Sequence, residues 1–412
     1  MNAVQQQLMH CISAYRFGDN IKTTTTDFST SDWLELYKLA SIHKLTAVVF
    51  DTMCEVPEFC GDNKALLAVW KRETLFQAAN QASRSQRIIH ISQLLKKHRI
   101  SHAIVKGAIC RNLYSKPDVR VSGDEDIFIR LCDKNQCLLL LEQDELELVS
   151  EETNVTHWND KRTGLHIELH TELFPSRRQE DVVLNQIFSE QLEHTVSISI
   201  GESEIETLHP TYHFIFLVCH ALKHFVTGGF GVRMICDVVT FAEQYYKDID
   251  HQTVYTILKK VNGQIFLDQL FGIGQHWLGF DAEKYGWIYS AEPDYMDLLK
   301  DCLDAGIYGQ STMSRRHSSG IVLSAAETGN QKNSALAVVF PSKEKLERKY
   351  PVLKDKPLLL PICWAHRLGK YAVELCYSKK GDNSPLKSVV LGKKRTEMMI
   401  KYGVLQKNKK KK

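Results

Sequence analysis

Three stretches decide the fold: Ala103-Ile104-Val105-Lys106-Gly107-Ala108, Gly123-Asp124-Glu125-Asp126-Ile127-Phe128-Ile129, and His166-Ile167-Glu168-Leu169-His170. Residues two apart in a strand point to the same face, roughly 7 Å apart along the chain, so Asp124 and Asp126 can converge on one cation. In the third stretch the alternation sends Ile167 and Leu169 to a core and projects His166, Glu168 and His170 from the other face. A third carboxylate beside the first two makes a magnesium site, because hard cations take carboxylate and phosphate oxygens. Two such ions roughly 4 Å apart can hold the attacking and leaving oxygens of an in-line displacement. Lys106-Gly107 ends one strand and opens a helix, where backbone N–H groups attract phosphate, glycine permits close approach and lysine adds a point charge.

Outward from this centre the period changes. Residues 1–100 read as an N-terminal helical region: Asp32 with Glu35 suggests a helix cap, with Leu36, Leu39 and Ala40 on one face, and Ile88, Ile91, Leu94 and Leu95 mark a second helix. Residues 101–206 hold short Ile- and Val-rich strands at 103–105, 127–129, 165–169 and 196–200 and a helix near 132–143. Helices resume over 207–305, at 212–225 and 232–246, separated by Gly228-Gly229. The region 306–406 reads as a loop over 308–333, a strand at 336–340 and a helical extension, and 407–412 as a basic tail. The expected class is therefore α+β: a small mixed β-sheet flanked by N-terminal and C-terminal helical regions.

Composition narrows the function. The 412-residue chain has 52 basic and 49 acidic side chains. Five of the basic ones are Lys407, Lys409, Lys410, Lys411 and Lys412; subtracting them from 52 leaves 47 against 49, a body of charge −2. A near-neutral body makes a long nucleic acid a poor partner compared with a small molecule or peptide. Eleven cysteines without a CxxC read as reduced, mostly buried thiols. No apolar run is long enough to span a bilayer and no charged start leads into one, so a cytoplasmic home is expected.

Histidines offer rival readings. His220 and His224 are spaced i, i+4 near His209 and His213, but the residues between them contain no glutamate, as an HExxH zinc site requires. His157, His166, Glu168 and His170 could form a metallohydrolase cluster, although His166 and His170 lie near 13 Å apart along a strand. Arg233 and Asp237 are either substrate contacts or a helical ion pair.

The order of motifs resembles the DNA polymerase beta-like nucleotidyltransferase superfamily. Ile104-Val105-Lys106-Gly107-Ala108, Leu113-Tyr114, Pro117, Arg120 and Gly123-Asp124-Glu125-Asp126-Ile127 are similar to the signature of its bacterial family called uncharacterised nucleotidyltransferase. The likeness runs from about residue 32 to 368, through Asp32-Trp33, the strand ending in His170, Leu217, His224, Arg233 and Asp237, to Phe340-Pro341-Ser342 and Tyr350-Pro351. It implies Asp124 and Asp126 as metal ligands and Glu168 as a third acid that helps activate an acceptor hydroxyl. It further implies Lys106, Gly107, Arg120 and Ser122 at a nucleoside triphosphate, Mg²⁺ or Mn²⁺ as cofactor, and an acceptor cleft lined by His170, His220, His224 and Asp237. The implied reaction moves a nucleoside monophosphate to a small-molecule, peptide or protein acceptor and releases pyrophosphate. One departure stands out: Glu125 occupies a core-facing position that is apolar in the family. It needs a basic partner, or else the strand begins at Ile127 and Asp124 lies in the preceding loop. A chain that keeps the fold as a nucleotide-binding or scaffold protein is the alternative.

Overall fold

Alternation in the central stretches produces the sheet. In this computed structural model, which describes residues 1–17, 28–54, 56, 59, 61, 63–306, 340, 342–347, 349–377 and 385–405, five strands form one sheet: β1 (His102–Val105), β2 (Asp124–Ile129), β3 (Leu146–Glu151), β4 (Val155–Asp160) and β5 (His166–His170). Their order is β1-β2-β5-β4-β3, with only the β2–β5 pair parallel. A hairpin of β6 (Val196–Ile200) and β7 (Ser203–Thr207) forms a separate two-stranded sheet that packs on β1. With helices before and after, the class is α+β as expected.

Register explains which side is core. Ile104 faces Ile127, Glu125 faces Ile167, and Ile167 faces Trp158, so these side chains share one face, and all five are buried. Each fully buried large apolar side chain there contributes roughly 1.5–3 kcal/mol. The long helix α4 (Lys64–Lys97) packs on β1 and β7 and buries Ile88, Ile91 and Leu95. From it Arg87 forms a buried ion pair with Asp160 of β4, and Gln81 donates to the Ser122 carbonyl at 3.2 Å.

Before α4 come α1 (Ala3–Phe17), α2 (Thr30–Ile42) and α3 (Thr46–Met53). The cap of α2 is Ser29, with Asp32 closing a reciprocal capping box, three residues earlier than Asp32 and Glu35 suggest. A short helix α5 (Gly107–Arg111) follows β1, α6 (Lys134–Gln143) precedes β3, and α7 (Gln179–Gln191) follows β5. Then come α8 (Pro210–Thr227), α9 (Val232–Gln244), α10 (His251–Lys260) and α11 (Gln264–Trp277).

The chain divides into two compact units, and the division falls inside α8: one unit is Met1–His220 with Val232–Tyr295, the other Ala221–Gly231 with Met296–Lys412. The first holds both sheets. In the second, α12 (Met296–Ala305), α13 (Lys343–Glu347), α14 (Leu360–Tyr377) and α15 (Pro385–Lys401) are described, and Leu346, Leu353 and Cys363 form a small core. The loop expected over 308–333, the strand expected over 336–340 apart from Phe340, and the tail 407–412 lie outside the described residues. Among the described residues no helix is long and apolar enough to cross a membrane.

Candidate active site

The face opposite the core carries a polar band. Asp126 of β2 pairs in register with Glu168 of β5, which pairs in turn with His157 of β4, so one ladder row crosses three strands. Asp124 lies in register with His166, one row away, and His170 lies on the other side of Glu168. Strand β2 begins at Asp124, so both aspartates share this face.

Donor atoms of Asp126, Glu168 and His170 lie within 4.8 Å of one another. His170 Nε2 sits 3.0 Å from Asp126 Oδ1 and 3.3 Å from Glu168 Oε2. Lys106 Nζ closes the other side, 2.7 Å from Asp126 Oδ2 and 3.3 Å from Asp124 Oδ2. The Glu168 and Asp124 side chains are 26% and 22% exposed, against 5% for Asp126, so the cluster opens to solvent at two acids and buries the third.

Electrostatics follow from this packing. Burial alone would raise the Asp126 carboxyl, but Lys106 and His170 hold it well below the usual range. Burial likewise opposes the net lowering of Glu168, which the His170 hydrogen bond brings about. Burial would discharge Lys106 and His170, yet both are raised, Lys106 by Asp126 and Asp124, His170 by its hydrogen bonds to Asp126 and Glu168. Three carboxylates thus face the Lys106 ammonium and an imidazole whose protonated form they favour.

Lys106 is held in an unusual backbone conformation, φ 61° and ψ −113°, which costs a non-glycine residue on the order of 1–3 kcal/mol. Its N–H donates to His213 Nε2 at 3.2 Å, and His213 Nδ1 lies 3.0 Å from the Thr207 hydroxyl, which donates to the Ile104 carbonyl at 2.7 Å. Because that hydroxyl spends its proton on Ile104, His213 carries its own proton on Nδ1. Burial depresses His213 to about 3, so it stays a neutral acceptor.

Glu125 finds its basic partner. The carboxylate is fully buried, ion-paired with Arg111, hydrogen-bonded by the Ser122 hydroxyl at 3.0 Å, and accepts the Ala108 N–H at 2.7 Å. It therefore caps the first turn of α5 with the protein's own anion, where the sequence suggested phosphate. Gly107 is required for that: a Cβ there would overlap the Glu125 carboxylate.

Several expected contacts are redistributed. Gly107 and Ser122 serve the buried Glu125 network, Ser122 also bonding Arg111 and Gln81. Arg120 is nearly fully buried and makes a two-pronged pair with Asp237, at 2.8 and 2.5 Å, to which the Tyr114 hydroxyl donates at 3.0 Å. Arg120 and Asp237 thus tie the segment before β2 to α9, the pairing satisfying both buried charges. Asp237 is spent on Arg120, while Arg233 binds the Val121 carbonyl. His220 is buried beside Phe216, ring centroids 5.4 Å apart, and His224 belongs to the second unit. The structure therefore brings together Lys106, Asp124, Asp126, Glu168 and His170 from the expected set.

Sequence reasoning gave His170 a place in a cleft wall or in a metallohydrolase cluster with His157, His166 and Glu168, and passed over His213 as a positioning group. The His170 role had a visible signal, its same-face spacing from Glu168. The His213 role had none, because it depends on a contact 107 residues away in the chain.

Comparison with known proteins gives one family. The family described as uncharacterised nucleotidyltransferase matches residues 29–279, more than half of the chain. No curated protein matches. Among solved structures, an antigenic nucleotidyltransferase-like protein from Paracoccidioides brasiliensis is similar at 16% identity, covering 48% of this chain and 93% of that one, with a TM-score of 0.31, too low to argue from.

Proposed function

The chain belongs to the uncharacterised nucleotidyltransferase family, and from that membership we propose that it moves a nucleoside monophosphate from a nucleoside triphosphate to a small-molecule, peptide or protein acceptor, releasing pyrophosphate. The observation that carries this reading is the convergence of Asp126, Glu168 and His170 within 4.8 Å beside Lys106 and Asp124, on an open sheet face.

The donor set fits a hard divalent ion: Asp124, Asp126 and Glu168 supply oxygens, and two of the three reach solvent. Mg²⁺ or Mn²⁺ held there would neutralise polyphosphate charge and orient the reacting phosphorus. The residues do the rest. Lys106, drawn from Asp124 and Asp126 to the polyphosphate, binds the transferring group through an ammonium that stays protonated. His213 fixes the Lys106 backbone and so the direction from which that ammonium approaches. Glu168, kept ionised by His170, accepts the proton of the acceptor hydroxyl. Catalysis in this scheme is positioning and charge neutralisation.

A non-catalytic binding protein was attractive chiefly because of Glu125, and Arg111 and Ser122 satisfy that carboxylate without disturbing its neighbours. The test is incubation of the purified chain with labelled triphosphates and Mg²⁺ or Mn²⁺, reading pyrophosphate release, self-labelling and transfer to added hydroxyl acceptors. Asp126→Asn and Glu168→Gln should each lose at least about a hundredfold in turnover. Full turnover in both variants would reject the assignment; triphosphate binding without any turnover would favour the binding protein.

A further inference from the structure

Beside the carboxylate cluster, the same sheet face holds a second constellation with different chemistry. His157 of β4 stands directly opposite Glu168, and His166 of β5 stands diagonally from His157. Donor atoms of His157, His166 and Glu168 lie within 4.8 Å of one another, and all three residues are half-buried. The two imidazoles are nearly parallel, with ring centroids 5.7 Å apart and an interplanar angle of 19°. His157 Nδ1 is 3.7 Å from Glu168 Oε1, beyond hydrogen-bond reach, and among the described residues neither ring is hydrogen-bonded. His170, by contrast, is fully engaged with Asp126 and Glu168. The first cluster therefore uses its histidine, and the second leaves two imidazoles uncommitted toward one carboxylate.

We propose that His157, His166 and Glu168 form a second metal site, for a borderline divalent ion of the zinc type, with Glu168 shared between this site and the Asp126 cluster. Two imidazoles and a carboxylate with an open fourth position form the donor set of an accessible tetrahedral zinc centre. Magnesium does not compete for it, because it demands nearly all-oxygen octahedral surroundings and sheds water reluctantly. Chain distance separates His166 from His170, and the structure resolves that conflict by giving each histidine its own partner set: His157 arrives from the neighbouring strand to complete the His166 group. The site shares one residue with the reading above but does not rest on nucleotidyl transfer.

The test uses the full chain, freed of metal by a chelator, with Zn²⁺ stoichiometry from equilibrium dialysis and Co²⁺ coordination from its visible absorption in millimolar Mg²⁺. The unsubstituted protein should bind one Zn²⁺ that Mg²⁺ fails to displace, with tetrahedral Co²⁺ bands. His166→Ala and, separately, His157→Gln should each weaken that binding roughly tenfold or more, since even the outer partners of metal ligands are worth that much. Circular dichroism establishes that each variant is folded, and two variants on different strands keep the comparison open if one is not. Unchanged Zn²⁺ affinity in a folded variant, or no Zn²⁺ retained by the unsubstituted chain, overturns the site. Mg²⁺-dependent triphosphate binding, measured in parallel on the unsubstituted chain, separates the two claims: its loss counts against the transferase reading alone, and loss of zinc counts against this site alone.

Discussion

Replacing Arg111 by methionine gives a sharp test of how the site is supported. Arg111 and Glu125 are 1% and 0% exposed, and the pair sits on the core side of β2 between the two aspartates that face the other way. Without Arg111 the Glu125 carboxylate keeps the Ala108 N–H and the Ser122 hydroxyl but loses its ion-pair partner. Breaking a buried pair from one side costs about 3–5 kcal/mol. Arg111→Met and Glu125→Leu should therefore each lower the melting temperature of the sheet-bearing unit by about 6–10 °C, taking about 2 °C per kcal/mol for a unit of this size. The double variant removes both charges and leaves mainly the Ala108 N–H without its acceptor, about 1–3 kcal/mol, because the Ser122 hydroxyl also reaches Gln81 Oε1 at 3.1 Å. The two losses should thus fall well short of adding. The measurement is a double-mutant cycle by calorimetry, with fluorescence to show which transition moves. A shift below about 2 °C for Arg111→Met, or a double variant that melts at the sum of the single losses, would refute the claim that this pair holds β2 in place.

Gly107→Ala should cost about 1–3 kcal/mol, because the added methyl meets the buried Glu125 carboxylate, and thermal melts would expose an error if the variant proved neutral. Lys106→Met should leave Asp124 and Asp126 without their ammonium, so that millimolar Mg²⁺ raises the melting temperature more than in the parent; no difference between the two chains counts against the acids as metal ligands. Two buried groups should give opposite pH responses. His213 is depressed to about 3, so its unfolded form binds more protons between roughly pH 3 and 6.5, and stability is lost as pH falls through that window. Asp268 is raised by burial to about 6, so its native form binds more protons between roughly pH 4 and 6, and stability is lost as pH rises there. Urea midpoints across pH 4–6 should consequently rise more steeply with pH in Asp268→Asn than in the parent, and less steeply in His213→Gln; parallel profiles for all three would show that neither group titrates as described.

The site was legible where chemistry coincides with strand alternation. Asp124, Asp126 and Glu168 announce themselves because period two puts them on one face while Ile127, Ile167 and Leu169 take the other. Strand β4 was not legible, because its core face is Thr156, Trp158 and Asp160, two of them polar; Asp160 is paired with Arg87, 73 residues away, as well as with the Arg162 N–H. The sequence groups His157 with His166, Glu168 and His170, but without β4 it does not show the register that sets His157 opposite Glu168. Helix α4 was visible only around Ile88 and Leu95, since Gln81 and Arg87 are buried through contacts with loops and strands that no local period encodes. Arg120 and Ser122 were illegible for the opposite reason: proximity to the acids in sequence suggested the ligand side, while the loop before β2 places them in the interior.

The placement of Lys106 Nζ on Asp124 and Asp126 has a consequence for the order of assembly. An internal counter-ion already occupies the anionic seat, so a dication arriving alone must evict an ammonium that has nowhere equally favourable to go. A polyphosphate arriving with the dication offers that destination. On the proposed reading, nucleotide and metal should enter as partners, each tightening the hold on the other by the same factor.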